Sequence, residues 1–182
     1  MKTLYIHPKN PQPRLLDETT NALLSGKVVI IPTECGYRFA FAMNAKDAFE
    51  RLVRVGVNES DLVLLCKNIS QLSGVAVITN DAFITLKNDF LPHHVFILEP
   101  TKAVNKKIIS KKSLRFTTSA MPIMTALLKQ MDEPFFTAPL ICQGESVNEY
   151  DITDKLDSQA EIFVDVGVID EARMTVIDLM GS

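Results

Sequence analysis

The run Lys27-Val-Val-Ile-Ile31 constrains the fold of this chain more than any other stretch. Four consecutive β-branched residues with no polar interruption suit neither an amphipathic helix nor a half-exposed strand. They suit a strand buried on both faces, the kind found in a sheet covered by helices. Gly26 sits just before it, past a helix expected over residues 15–24, where Leu15, Leu16, Leu23 and Leu24 supply the apolar faces. Pro32 is expected to end the strand, because proline donates nothing to a central ladder.

Similar patterns continue along the chain. Leu4 to Ile6 is a short apolar patch, followed by an extended proline-rich stretch. Strands are expected at 37–43, 61–66, 95–98, 113–118, 134–139, 161–166 and 175–179. Helices are expected after Asn44, which stands as an N-cap, over about 81–90 behind Thr79 or Asn80, and over 123–131. Strands and helices interleave through short connections, without repeats or a dividing linker. The expectation is a single α/β domain spanning 1–182, with a mixed sheet flanked by helices. At 182 residues such a chain buries roughly 70% of its unfolded surface and needs no disulfide or metal to build a core.

Composition removes several function classes. A net charge of −3 excludes a wholly basic coat for nucleic acid and leaves room for a local basic strip. The three cysteines, Cys35, Cys66 and Cys142, are odd in number and form no CxxC pair, which indicates neither a zinc site nor a disulfide framework. The start lacks a signal-peptide core, and no apolar run approaches the ~18 residues of a membrane span. A cytoplasmic location with no membrane partner is expected. Walker-type and Rossmann glycine patterns are absent.

The mouth of the buried strand, Pro32-Thr33-Glu34-Cys35-Gly36-Tyr37, is the most informative place for function. Ligands of open α/β sheets bind outside strand ends. Thr33 offers a hydroxyl, Glu34 a carboxylate, Gly36 a close backbone approach and Tyr37 a stacking face with a polar tip. The same residues read equally as a turn that ends a strand. Cys35 reads more readily as a small filler than as a nucleophile, since sequence places no histidine beside it. His93 and His94, adjacent and without a third partner, do not form a metal ligand set. A second feature is Lys102, Lys106, Lys107, Lys111, Lys112 and Arg115, a cationic run in an acidic chain. Spacing places Lys102, Lys106 and Lys107 near one helical face. The run reads as an RNA-phosphate strip or as a solvated face, and the lack of interleaved aromatics argues against single-strand stacking.

From Val28 to Tyr37 the sequence resembles the opening motif of the YrdC/YciO-like family, an apolar strand followed by Pro-Thr-Glu/Asp and a nearby Tyr. The Gly36-Tyr37 order resembles the YciO-type branch. Similar blocks follow in the right order: Arg14-Leu-Leu, Phe49-Glu-Arg-Leu-Val-Arg54, Leu64 to Leu72, Phe96-Ile97-Leu98 and Thr175 to Leu179. The resemblance implies a YrdC/RibB-like twisted open sheet with a concave ligand face. It also implies a relation to the synthase that joins threonine, bicarbonate and ATP into threonylcarbamoyl-AMP for tRNA modification, and to members described as binding double-stranded RNA. The implied partners are a nucleotide, with Mg²⁺ accompanying ATP and no tightly held cofactor, or RNA, either tRNA or a duplex. Carried over, Thr33, Glu34, Tyr37, Arg38 and Arg54 hold substrate. Arg54, Arg115, Thr117, Thr137 and Thr175 contact nucleotide, and the five lysines contact RNA. No residue is assigned as catalytic and no metal ligand is expected.

The departures from the family pattern are as informative. Its synthases hold triphosphate with a Lys-x-Arg pair, a further Lys and an Arg-x-Pro turn. Here Arg54 keeps the first position, Gly56 takes the second, and Glu59 and Asp61 follow with no base between. Thr117-Thr118-Ser119 stands at the Arg-x-Pro turn, and Thr137 is followed by Ala138 rather than by a Ser-Ala-Asn motif. Losing about three charged hydrogen bonds costs on the order of 4–9 kcal/mol. Synthesis is therefore expected to be reduced or altered, unless Arg38, Arg54 and Arg115 regroup around an anion. Arg38 stands where the family usually has a small or apolar residue.

Overall fold

In the computed structural model, which describes residues 1–181, the chain opens with β1 (Lys2–Tyr5), α1 (Pro13–Leu24), β2 (Val29–Thr33), β3 (Gly36–Ala42), α2 (Lys46–Val53) and β4 (Val63–Leu65). The middle holds α3 (Ile69–Val75), β5 (Ala76–Val77), α4 (Asn80–Asp89), β6 (His94–Pro100), β7 (Leu114–Thr117) and α5 (Pro122–Met131). Then come β8 (Phe135–Pro139), the short hairpin strands β9 (Ile141–Cys142) and β10 (Glu145–Ser146), α6 (Ile152–Leu156), β11 (Ile162–Asp165) and β12 (Thr175–Asp178). The main sheet runs β1-β11-β2-β3-β8-β4-β7-β6-β12, with β5 added on β6. It is mixed: β2, β3, β8 and β4 pair antiparallel in succession, while β11 with β2, β4 with β7, and β6 with β12 are parallel.

Alternation along the strands sends side chains to two cores. Ile30, Phe39, Phe41, Leu64, Phe96, Phe116 and Phe136 point to one face, where the buried residues of α2, α3, α4 and α6 meet them. Val29, Ile31, Ala40, Ala42 and Phe135 point to the other, beneath α1 and α5. That second core reaches only to Leu65 on β4. The continuation of the same face across β8, β4, β7 and β6 is the expected ligand face.

Four local expectations change. Pro32 does not end the strand: it lies within β2, opposite Tyr37 of β3. Pairing with β11 reaches only Ile30, so Pro32 stands where β2 has a single neighbour and its missing N–H breaks no central ladder. The N-cap of α2 is Ala45 rather than Asn44, with no side-chain cap, and Asp47 in the first turn complements the helix dipole. Leu4, part of an apolar patch in the sequence, lies in a paired strand, β1. Finally, residues 101–112 form turns, not a helix. Thr101 is tied to Gly74 and Val75, Asn105 caps its own turn at Lys107, and Val104, Ile108 and Ile109 are buried, which pulls the segment onto the body of the protein. Thr79 does cap α4, accepting from the Ala82 N–H.

Candidate functional site

The β2–β3 turn is built from its own side chains. The Thr33 hydroxyl donates to the Gly36 carbonyl at 2.7 Å and accepts from the Cys35 N–H at 3.1 Å. Gly36 has φ +104°, and a Cβ there would lie 2.6 Å from Glu171 Oε1. The Glu34 carboxylate accepts from the Ser119 hydroxyl at 2.7 Å and the Ala120 N–H at 2.8 Å, while its carbonyl accepts from the Ala172 N–H at 2.7 Å. Ser119, standing at the Arg-x-Pro turn of the family pattern, therefore holds Glu34. Both polar groups expected to meet substrate, the Thr33 hydroxyl and the Glu34 carboxylate, are engaged within the protein.

Beside this turn, on the open face, lies a narrow cleft of about 20 Å³. Thr33, Glu34, Cys35, Arg38, Thr117 and Thr137 line it, together with Val63, Leu65, Val95, His93, Thr118 and Met174. Arg38 crosses it from β3: Nε donates to the Thr137 hydroxyl at 3.1 Å and Nη2 to the Asp61 carbonyl at 3.5 Å. Burial lowers the guanidinium to about 10, so it stays charged at neutral pH. Burial likewise raises the Cys35 thiol, with Arg38 opposing and Glu34 and Glu171 adding to the rise. Thr117 spends its hydroxyl on the His94 carbonyl at 2.7 Å.

Arg115 projects from the same face as Thr117, and an adjoining depression of about 170 Å³ is lined by Arg115, Glu59 and Lys111. A larger one of about 340 Å³ gathers Lys102, Lys106, Lys111 and Lys112, so Lys111 belongs to both. Lys107 lies outside that lining. Glu59 anchors this basic loop, accepting from the Ser110 N–H and hydroxyl and from the Lys111 N–H at 2.6–2.8 Å.

Three residues assigned by resemblance lie elsewhere. Tyr37, one place along β3 from Arg38, points into the opposite core. Its hydroxyl donates to the Gly167 carbonyl at 2.6 Å and accepts from the Val166 N–H at 3.0 Å, and its ring meets Phe163 edge-on at 5.2 Å. Burial pushes its phenol well above the ordinary value of 10. Arg54 is exposed at the end of α2, the helix packed on that opposite face. Thr175 pairs with His94 at a register that puts it on the same side as Ile177, away from the cleft. Gly56 has φ +114°, and its Cβ position falls 2.8 Å from the Gly144 Cα in the β9–β10 hairpin. Sequence reasoning did not find His93, Val95 and Met174 as wall residues. No local pattern marks them, since β6, the residue before it and the segment before β12 reach the cleft only through sheet order.

The Sua5/YciO/YrdC family model, described as telomere recombination, matches residues 21–182. The chain belongs to that family. An uncharacterized protein YciO of Escherichia coli K12 is 32% identical, the match covering 96% of this chain and 88% of the relative. An uncharacterized protein of Haemophilus influenzae is 29% identical, with the same coverage. The crystal structure of E. coli YciO superposes with a TM-score of 0.89 at 31% identity, covering 99% of this chain and 91% of that one. P. abyssi Sua5 complexed with L-threonine superposes with a TM-score of 0.85 at 19% identity, covering 98% of this chain and 54% of that one. For this family member, the Sua5 likeness shows a shared fold. No described helix is long and apolar enough to cross a membrane.

Proposed function

We propose that this YciO-like family member binds a nucleotide or RNA on its open face, and that threonylcarbamoyl-AMP-type synthesis is reduced or altered in it. One observation supports this above the others: the triphosphate-holding half of the family pattern is dismantled. Arg54 sits at the end of a helix on the opposite face, and the Gly144 backbone stands against Gly56. Arg38 and Arg115 are the cations left on the face beside the Thr33–Tyr37 turn. A relative's structure holds L-threonine, and the same small-molecule class is the amino-acid candidate here. Mg²⁺ enters as the nucleotide's counter-ion, because no group of three or more metal-type side chains gathers among the described residues. A cytoplasmic location fits the three free cysteines. The test is calorimetric titration with Mg-ATP and threonine at millimolar concentration, alongside pyrophosphate release. Weak heat and little or no pyrophosphate are expected. Turnover matching that of an active synthase assayed in parallel overturns the reading.

A second reading, a duplex-RNA-binding module without turnover, is favoured by the lysine depression. None of its four lysines takes part in an ion pair among the described residues. Replacing Lys106, Lys111 and Lys112 with Ala should flatten the salt dependence of duplex-RNA binding by about 0.7–0.9 for each phosphate no longer neutralised. An unchanged slope removes this reading.

A further inference from the structure

We propose that β12, the outer strand of the main sheet, is a dimerisation edge that pairs antiparallel with β12 of a second copy of this chain about a two-fold axis at Val176.

The two ends of the sheet are finished differently. At the β1 end, Lys2 pairs with Glu18 at 2.7 Å. Residues 7–12 fold against the end of that strand, where the Gln12 side chain donates to the Tyr5 carbonyl at 3.3 Å and accepts from the His7 N–H at 2.9 Å. A lysine and a covering loop are devices that blunt an edge. The β12 end has neither lysine nor proline in Thr175-Val-Ile-Asp178. β12 runs parallel to β6, with the Thr175 and Leu179 N–H groups donating to the His93 and Ile97 carbonyls. Alternation then turns the N–H and C=O of Val176 outward, where they meet no backbone partner among the described residues. The Val176 side chain is 47% exposed. Packed over β6 on the other face is α4, with the Phe90 ring beyond it 5.9 Å from Phe96. That helix leaves Phe83 and Ile84 exposed, as is Leu91 just past its end. Apolar side chains gathered at the same end as an open strand mark an interaction surface.

The strand is its own complement. Antiparallel pairing centred on Val176 sets Val176 against Val176, Thr175 against Ile177 and Met174 against Asp178. The β-branched centre suits a cross-strand ribbon. Arg173 of each copy comes within one residue of the other copy's Asp178, and both side chains are exposed, so opposite charges meet at each end of the ribbon. The axis stands perpendicular to the sheet, which puts both open faces on one side and both α4 helices on the other. Each copy spends its β12 edge and leaves the guarded β1 edge outside, so the assembly closes at two chains.

Pairing at β12 needs neither ATP nor RNA, so its failure and that of the functional reading are distinguishable. Sedimentation velocity of the full chain from about 1 µM to about 1 mM, the range for interfaces of modest area, should show a shift from one chain to two. Val176→Lys sets like charges face to face across the axis and should weaken association tenfold or more. Arg173→Glu should weaken it several-fold at low salt, and Arg173→Glu/Asp178→Arg should restore it. Under mild oxidation Val176→Cys should give a disulfide-linked dimer, its Cα atoms about 5.5 Å apart, above the wild-type background of Cys35 and Cys142. Tyr5→Cys on β1 should stay at that background. If Val176→Lys does not fold, the charge swap and the Val176→Cys cross-link decide. A single chain over the whole range, unchanged association in folded Val176→Lys, or a Val176→Cys cross-link to another protein and not to its own copy overturns the proposal.

Discussion

Gly56 shows how a single backbone angle can close a functional option. It stands where the family pattern puts the second base of a phosphate-holding pair, but at φ +114° with the Gly144 backbone 2.8 Å from its Cβ position. An L side chain there strains the backbone and pushes on a hairpin. Gly56→Arg should therefore destabilise the protein by about 2 kcal/mol or more and fail to restore ATP binding, as read by urea unfolding and calorimetry. Gained ATP affinity at full stability would mean that the position is still open to a base. Tyr37 makes the opposite point, since a residue typical of a ligand site serves as a brace. Tyr37→Phe leaves the Gly167 carbonyl and Val166 N–H without their partner. It should cost about 1–3 kcal/mol, as read by urea unfolding. The raised phenol keeps its proton in the fold while the unfolded chain loses it near pH 10, so stability falls as pH rises above that value. Absorbance at 295 nm should show one tyrosine ionising well above pH 10, a step that Tyr37→Phe removes, and Tyr37→Phe should flatten the loss of stability above pH 10.

Among the elements, the basic segment between β6 and β7 is the most informative. Lysine spacing alone reads as a helix face, yet three buried apolar residues and the Glu59 carboxylate fold it into turns. Glu59 looks in sequence like an acid replacing a phosphate-binding base, and in the fold it orders the cationic loop. Glu59→Ala removes three hydrogen bonds and should speed tryptic cleavage at Lys111 and Lys112 several-fold, with a loss of about 1–3 kcal/mol. Unchanged cleavage would assign the loop's order to Val104, Ile108 and Ile109 alone. Pro32 follows the same logic: strand membership depends on which neighbours a residue has, and β11 stops short of it.

Across the whole molecule, the two-sided sheet sets the energy scale. Phe136, in a strand between β3 and β4, is fully buried. Phe136→Ala should cost about 3–5 kcal/mol, a large part of a typical domain's stability. Arg115→Ala, exposed on the open face, should change it by no more than about 0.5 kcal/mol. Urea unfolding of both variants checks this contrast. A small Phe136 effect would mean that the sheet centre repacks.

What the sequence determined by itself was the element pattern: the β-branched run, the alternation of strands with helices, the Thr79 cap and the family motif were all legible from local residue types. The resemblance to the family pattern, rather than local chemistry, gave the expectation that the bases of a triphosphate cradle are missing. Tertiary structure alone decided which side of the sheet each residue serves. Tyr37 and Arg38 are neighbours in sequence, and the pleat sends one to a core brace and the other to the cleft. His93, Val95 and Met174 reach that cleft from distant segments. Side-chain direction follows from a strand's period of two, but which direction meets a core, a cleft or solvent depends on what the rest of the chain packs there.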